Sequence, residues 1–416
     1  MRRPSNAICA VLGTGVWSAA NFFMNSAITK GGTQGEVAVY ILAAAIATPI
    51  CDFAFLSLRG LQNSDGKGEF SFGEYLSLRL LGILSSLLVL ALWAGAQGGG
   101  FLPGMVLLFG LRVCVDAAID MHHGLVQKLG RLDLASFSLG LRGVLGLVGF
   151  VVGLRLSGLT GAFVGQLLAS CLLLLFLDRP TAKRVAASKE ADSLGRVLAD
   201  GLKPAFHWHD LHRLFVLALP LAVTTVIISL NSQVGRYFAN AYLTQIALNT
   251  FGMVATLVAL ERLFINALGV ASSTGLGETF AARDLPGFRR KANRLFIAAW
   301  GLTLGTGFLA AVVGRPLVSL IFRPEYARDP ALIVIVMVAG GIACVASAQG
   351  YVLTALRVLR AQVPIYGVSL LILLATNWVL VPTLGGRGAA WAMLAGALTA
   401  VVGSHYYYVR ALRNWS

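Results

Sequence analysis

Charge is what this sequence has least of. Of 416 residues only 12% are Asp, Glu, Lys or Arg, against about 25% in ordinary soluble domains. Hydrophobic residues make up 57%, and the mean hydropathy is +0.77. So few charges cannot cover the surface such a chain would turn to water. A soluble enzyme and a disordered chain are excluded on that ground. Acids are scarcer than bases, 18 against 33, giving a net charge of +15. A basic excess marks many nucleic-acid binders, but these need a soluble basic face. Here the basic residues fall mostly between apolar runs, so no nucleic-acid partner is expected. Cysteine is also sparse: Cys9, Cys51, Cys114, Cys171 and Cys344 each lie in an apolar stretch, with no CxxC among them. They read as small buried hydrophobes, and a disulfide-stapled fold is excluded. The chain has no GxxxxGK[ST] phosphate loop, no GxSxG elbow and no HExxH helix, so ATP hydrolysis on this chain is excluded. No catalytic residue, metal or cofactor is expected, and the chain reads as a non-enzyme.

What is present in abundance is long apolar runs. A crossing helix needs about 20 mostly apolar residues. Candidate spans lie at 7–29, 36–58, 75–96, 101–123, 134–155 and 158–177, then at 213–239, 246–270, 294–314, 330–354, 363–382 and 388–411. The start, Met1-Arg2-Arg3 before an apolar run from Ile8, is similar to a secretory signal, but the run continues to Ile28 and is kept as a first span. With the N-terminus inside, 23 basic residues fall in inner segments and 6 in outer ones, the asymmetry of the positive-inside rule. The expectation is an all-α polytopic membrane protein of twelve helices in two parallel six-helix repeats, with both termini cytoplasmic. Residues 1–177 form the N-terminal lobe, 178–212 a cytoplasmic linker, and 213–416 the C-terminal lobe.

The halves repeat. Residues from Gly124 (GLVQKLGRLDLAS) align with those from Gly350 (GYVLTALRVLRAQ), placing Arg131 on Arg357. After a one-residue shift, Gly158-Leu-Thr-Gly161-Ala162 matches Gly385-Gly-Arg-Gly388-Ala389. Such duplication is common in transporters. In the fifth span Gly140, Gly143, Gly146, Gly149 and Gly153 form a seam that another backbone can approach, and packing is the preferred reading.

Charged groups at membrane depth are costly and mark function by default. Arg112, Asp116 and Asp120 occupy one stripe of the fourth span at i, i+4 and i+8. Arg142 lies near mid-depth in the fifth. Glu261 and Arg262 sit mid-span in the eighth, about 100° apart around the helix. Asp52 and Arg59 lie near the inner end of the second span, and Arg236 near the outer end of the seventh. Arginines suit bidentate capture of phosphate oxygens, whereas Asp52, Asp116, Asp120 and Glu261 are candidates for carrying a coupling proton or ion. The opposing reading of Arg112 and Asp116 is an intrahelical pair that neutralises itself. Asn21, Asn25, Asn231, Gln233 and Gln349 add amide groups suited to sugar hydroxyls. The loop motif His207-Trp208-His209-Asp210-Leu211-His212 offers three imidazoles and a carboxylate, but no cysteine or second cluster completes a metal set. It is read as an interfacial amphipathic segment.

These residues resemble a known family. Gly31-Gly-Thr-Gln-Gly35-Glu-Val-Ala-Val-Tyr40 is similar to the turn after the first span in the polysaccharide (O-antigen and exopolysaccharide) flippases. Those flippases share a superfamily with the MATE drug exporters and the lipid II flippase. Asp52-Phe-Ala-Phe-Leu-Ser-Leu-Arg59 resembles the end of their second span. Pro316 to Tyr326, Arg357 to Arg360, Asn377 to Pro382 and Gly385 to Ala390 resemble their later motifs. The chain departs at Gly235, where an acidic residue often stands, and in having fewer spans than the lipid II flippases. The resemblance implies a MATE-like fold around a central cavity. It further implies flipping of an undecaprenyl-pyrophosphate-linked oligosaccharide across the bacterial inner membrane, for lipopolysaccharide, capsule or exopolysaccharide. Arg112, Arg142, Arg262, Arg236 and Arg59 would then hold the pyrophosphate. Partners implied are that lipid-linked oligosaccharide, membrane lipids, a polysaccharide polymerase and a chain-length regulator. The alternatives are an ion-coupled drug or metabolite antiporter of the same fold, and a membrane-embedded transferase or ligase acting on lipid-linked sugars.

Overall fold

The computed structural model describes residues 6–65, 68–187 and 202–413. Arg2, Arg3, Lys67, Lys189 and Arg196, counted above among the inner charges, lie outside the described residues, as does much of the 178–212 stretch. Among the described residues every regular element is helical. Ten helical stretches there are long and apolar enough to cross a membrane.

Contacts divide the chain into two units, Met1–Ser229 and Leu230–Ser416. The first holds α1 (Asn6–Gly31), α2 (Gln34–Ala54), α3 (Leu58–Ser64), α4 (Phe72–Ala96), α5 (Phe101–Lys128) and α6 (Leu132–Leu173). A wide turn, Leu174–Asp178, and α7 (Arg179–Ala186) follow. Two of these helices begin on reciprocal caps, Thr33 with Glu36 and Ser71 with Glu74, each satisfying orphan amides of a first turn. The Leu56–Ser57 turn, both residues at positive φ, ends the second span at Ala54. α6 is broken at Ser157 and Gly158, where the sequence predicts one span to end and the next to begin.

The glycine seam is where these helices touch. Cβ atoms built on Gly149 and Gly153 would run into the carbonyls of Gly165 and Gly161, on the far side of the α6 break. Further along, Gly143 faces Trp17 and Ala20 of α1, and Gly146 faces Met24. Apolar area gives little net drive between helices surrounded by lipid tails, so such close approach carries the packing. A separate apolar cluster joins Leu58, Phe72, Tyr75, Met121 and Leu125 to Leu211, Leu214, Ala218 and Ala222. The last four belong to α8 (Trp208–Tyr242). Its opening turns therefore pack within the first unit, and the contact division falls at 229/230 rather than in the polar stretch before 213.

The second unit continues with α9 (Gln245–Thr256), α10 (Val258–Ala281), α11 (Leu285–Ile321), α12 (Pro330–Ala355), α13 (Gln362–Leu384) and α14 (Gly386–Arg413). α12 packs against α10, α11 and α14. Its inner face, including Cys344, Val345 and Val352, meets Ile265, Leu276, Phe288 and Leu295. Among the cysteines, Cys51, Cys114 and Cys344 are buried and Cys9 and Cys171 half-buried, all as free thiols.

The repeat is visible in the backbone. Gly158 (φ 62°, ψ −147°) and Gly385 (φ 61°, ψ −136°) share one conformation at matching turns. The earlier match is corrected by one residue. Gly130 and Arg357 are the positive-φ residues that end α5 and α12. In both, the amide of that residue bonds three residues back and the next amide five residues back: Gly130 to Gln127 and Arg131 to Val126, Arg357 to Thr354 and Val358 to Leu353. That is the same glycine-type helix stop. Arg357 thus corresponds to Gly130, and one numbering offset serves both turns without a shift. The identity of two arginines outweighed register in the sequence alignment. An arginine at φ 59° is strained by about 1–2 kcal/mol. Arg357→Gly is expected to stabilise the purified protein by about 1 kcal/mol, read as a rise in its melting temperature.

Each unit also fastens its matching turn by a side chain. In the first, Glu36 Oε2 accepts from the Thr33 amide (2.8 Å) and hydroxyl (3.0 Å), and Oε1 accepts from the Leu159 amide (2.7 Å). In the second, Arg387 Nε lies 2.8 and 3.1 Å from the two oxygens of Asp329, which caps α12 through the Leu332 amide (3.2 Å). Burial alone would raise Asp329, but Arg387 and the helix amides outweigh it and hold the carboxyl below its usual value.

Candidate functional site

The groups of greatest interest in the first unit converge on one carboxylate. Arg112 and Asp116 sit one turn apart on α5, and Arg112 Nη2 donates to Asp116 Oδ2 at 2.7 Å. Across the helix interface, Arg142 Nη1 of α6 stands 3.4 Å from Asp116 Oδ1, and the Ser170 hydroxyl donates to the same oxygen at 2.8 Å. Arg142 is buried and Arg112 nearly so. Two guanidinium groups therefore share one carboxylate, leaving a surplus positive charge at a site largely closed to solvent. Arg112 Nε and Arg142 Nε and Nη1 make no hydrogen bond among the described residues. The self-neutralising reading of Arg112 with Asp116 describes their contact but omits Arg142. The Arg112 guanidinium also lies over the Phe109 ring, 5.2 Å from its centroid.

One helical turn along α5, Asp120 meets Arg59 of α3 at 3.2 Å, and Arg59 Nη2 also reaches Gln127 Oε1 at 3.4 Å. Asp120 lies within the electrostatic reach of Arg142, His123 and Arg79 as well. Asp52 is half-buried beside Ser229. The amides of the first span are used locally: Asn21 donates to the Trp17 carbonyl (2.8 Å), and Asn25 Oδ1 accepts from the Tyr40 hydroxyl (2.8 Å).

In the second unit, Glu261 lies in the first turn of α10, just after the junction with α9 at Leu257. It is 1% exposed, and neither carboxylate oxygen makes a hydrogen bond among the described residues. The neighbouring Thr306 hydroxyl donates instead to the Leu302 carbonyl (3.0 Å). Arg262 is exposed on the same helix, consistent with the angular separation read from the sequence. Asn231 donates to the Tyr366 carbonyl (3.1 Å) and accepts from Ser369 (3.0 Å). Gln233 accepts from Arg236 within α8. Gln349 is buried on α12, its Oε1 making no hydrogen bond among the described residues.

Two groups escaped sequence reasoning. Arg79 entered the tally of inner-loop charges, yet it is 3% exposed inside α4, its guanidinium 5.0 Å from the Phe55 ring centroid. Its place within the predicted span 75–96 was the available signal. Asp178 was assigned to the linker. It is buried at the end of the wide turn after α6, 2.9 Å from His123 Nε2, and accepts from the Ser138 hydroxyl at 2.5 Å. Wide turns of this kind recur at functional sites, but nothing in the local sequence announced this one.

No protein-family model matches the chain. Over 397 residues it is 22% identical to the capsular polysaccharide biosynthesis protein CapF of Staphylococcus aureus, covering 94% of this chain and 95% of that one. Among solved structures it is similar to the lipid II flippase MurJ in an inward closed conformation, with TM-score 0.72, 12% identity, and 98% and 90% of the two chains covered. It is also similar to a mutant form of the Vibrio cholerae MATE transporter VcmN, with TM-score 0.66, 16% identity, and 98% and 96% covered. These matches bear out the resemblance drawn from the sequence motifs. The chain is a multi-pass membrane protein with the fold that MATE transporters and MurJ share.

Proposed function

We propose that this chain is a transporter, not an enzyme, and that it flips an undecaprenyl-pyrophosphate-linked oligosaccharide by alternating access across the bacterial inner membrane. The observation that carries the reading is the surplus positive charge at Arg112, Asp116 and Arg142. Three buried guanidinium nitrogens there make no hydrogen bond among the described residues, and only Arg142 Nη1 has a carboxylate oxygen near it, at 3.4 Å. A doubly charged pyrophosphate supplies the oxygens such donors need, and guanidinium groups bind them bidentately. An apolar drug would gain nothing from that charge, which disfavours the antiporter reading. The polysaccharide-biosynthesis relative and the flippase fold support the same substrate class. Twelve spans are part of the same reading: α1 and a division of α6 at Gly158 into two legs would be added to the ten long apolar stretches. The 23-to-6 charge division supports cytoplasmic termini and linker. Arg59, Arg236 and Arg262 are secondary candidates for the headgroup. Gln349 is the best-placed amide for a sugar hydroxyl, and Asp52, Asp120 and Glu261 remain the candidates for ion coupling.

The test is translocation of isotope-labelled lipid-linked oligosaccharide in vesicles containing the purified protein. Protection of the label should change at a rate proportional to the amount of protein. A rate equal to that of empty vesicles, from protein shown to be folded, would defeat the proposal.

A further inference from the structure

The His207–His212 motif lacks a completing ligand in the sequence, and the fold brings one to it. Glu74, in the first turn of α4, lies against the residue that precedes α8: His207 Nδ1 is 3.2 Å from Glu74 Oε1. Asp210 is one helical turn further along. One ligand atom from each of Glu74, His207 and Asp210 lies within 4.8 Å of the other two. We propose that these three side chains bind a divalent metal ion of the zinc class, with water in the remaining position.

The geometry suits such an ion. Zinc bonds imidazole nitrogen at about 2.0–2.1 Å and carboxylate oxygen at about 2.0–2.2 Å, so neighbouring ligands of a tetrahedral site stand about 3.3 Å apart. The His207–Glu74 separation, 3.2 Å, is close to that value, so an ion can replace the hydrogen bond between them while Asp210, within 4.8 Å of both, closes in on it. One imidazole with two carboxylates, and room for water, is a donor set that suits zinc and its neighbours. The site is also held in place. Glu74 is buried, and its other oxygen accepts from the Ser71 amide at 2.7 Å, fixing the carboxylate plane. The Ala205 amide donates to the Gly73 carbonyl at 3.1 Å, pinning the chain that leads into α8 beside α4. His207 is more than half exposed, leaving an open side for the ion to arrive. One cation stands nearby: Arg213 lies 4.0 Å from Asp210 and 3.9 Å from Glu69, about half exposed. It competes for Asp210 but makes no close hydrogen bond to it. The ion would clasp the start of α8 to the start of α4.

The experiment uses the full chain, purified with a tag free of histidine and stripped with chelator. Zinc alone is titrated in competition with a chromophoric chelator, and cobalt absorption reports coordination number. The expected result is one zinc per chain, with tetrahedral cobalt bands and a higher melting temperature when zinc is present. Glu74→Gln keeps the helix cap, because glutamine also serves there, and should weaken zinc at least about ten-fold. His207→Ala should do the same. Arg213→Gln should tighten binding, and the double change His209→Ala with His212→Ala should leave it unaltered. Absence of stoichiometric zinc in the wild-type chain would overturn the site. So would a Glu74→Gln protein that is folded and binds zinc as the wild type does, or loss of binding in the His209/His212 variant alone.

Discussion

Arg142→Gln is expected to leave the protein folded and abundant in the membrane while cutting translocation of the lipid-linked oligosaccharide at least ten-fold. Asp116 would keep its 2.7 Å contact with Arg112 and its 2.8 Å bond from Ser170, so no carboxylate is orphaned. What disappears is one of two guanidinium groups and the surplus charge. A hydrogen bond to a charged group contributes about 1.5–3 kcal/mol, equal to roughly ten- to a hundred-fold in rate or affinity. Arg112→Gln should act similarly. Asp116→Asn is a different perturbation: it strands two arginines and breaks a buried pair, at a cost of about 3–5 kcal/mol. That variant should accumulate poorly, and the combination Arg112→Gln with Asp116→Asn should not restore function, because Arg142 then loses its close acid and keeps only the more distant Asp120. The assay is complementation of a flippase-null strain with membrane abundance measured alongside. Full transport by Arg142→Gln would remove the arginine cluster from the mechanism and leave only the likeness to known proteins behind the functional reading.

The second large effect concerns folding. Gly153→Val should abolish a monodisperse, folded species in size-exclusion chromatography. A Cβ on Gly153 collides with the backbone carbonyl of Gly161, and one on Gly161 collides with that of Gly153. Neither obstacle is a side chain that can swing away, so the two legs of α6 must separate along their length. The cost should exceed about 3 kcal/mol, beyond the usual range for overpacking. Gly301→Ala is the matched control on α11, since nothing lies within 4 Å of its added carbon. It should fold normally. A well-folded Gly153→Val protein would show that the seam is looser than the backbone contacts imply.

The large features were legible because they depend on solvent. Hydropathy marked the long membrane-crossing stretches, and the GxxGA segment located the break at Gly158. Arg112 with Asp116 was legible because helical spacing is fixed. The contact of Arg142 with Asp116 was not, since it depends on how α5 and α6 are rotated against each other, which helical spacing within one span does not fix. Arg79 and Asp178 were misplaced for a related reason: charge near a span's end was assigned to water, whereas Phe55 and His123 draw these groups inward. The alignment of Arg131 with Arg357 failed because hydrogen-bond register leaves no trace in residue identity when an arginine occupies a glycine position. Glu74 was not singled out, because its contact with His207 joins residues 133 apart in the chain.

The Glu36 carboxylate carries a consequence for the order of synthesis. Its bonds to Thr33 are local and can form once the first hairpin exists, before most of the unit has left the ribosome. Its bond to the Leu159 amide spans 123 residues and must wait for the last hairpin of that unit. The waiting group stands at an exposed turn, where water can hold the free oxygen at little cost. Membrane insertion can thus proceed one hairpin at a time without trapping a bare carboxylate in lipid. The final bond forms only when the first and last hairpins have reached their places, so that a single acid made early registers the completion of the half.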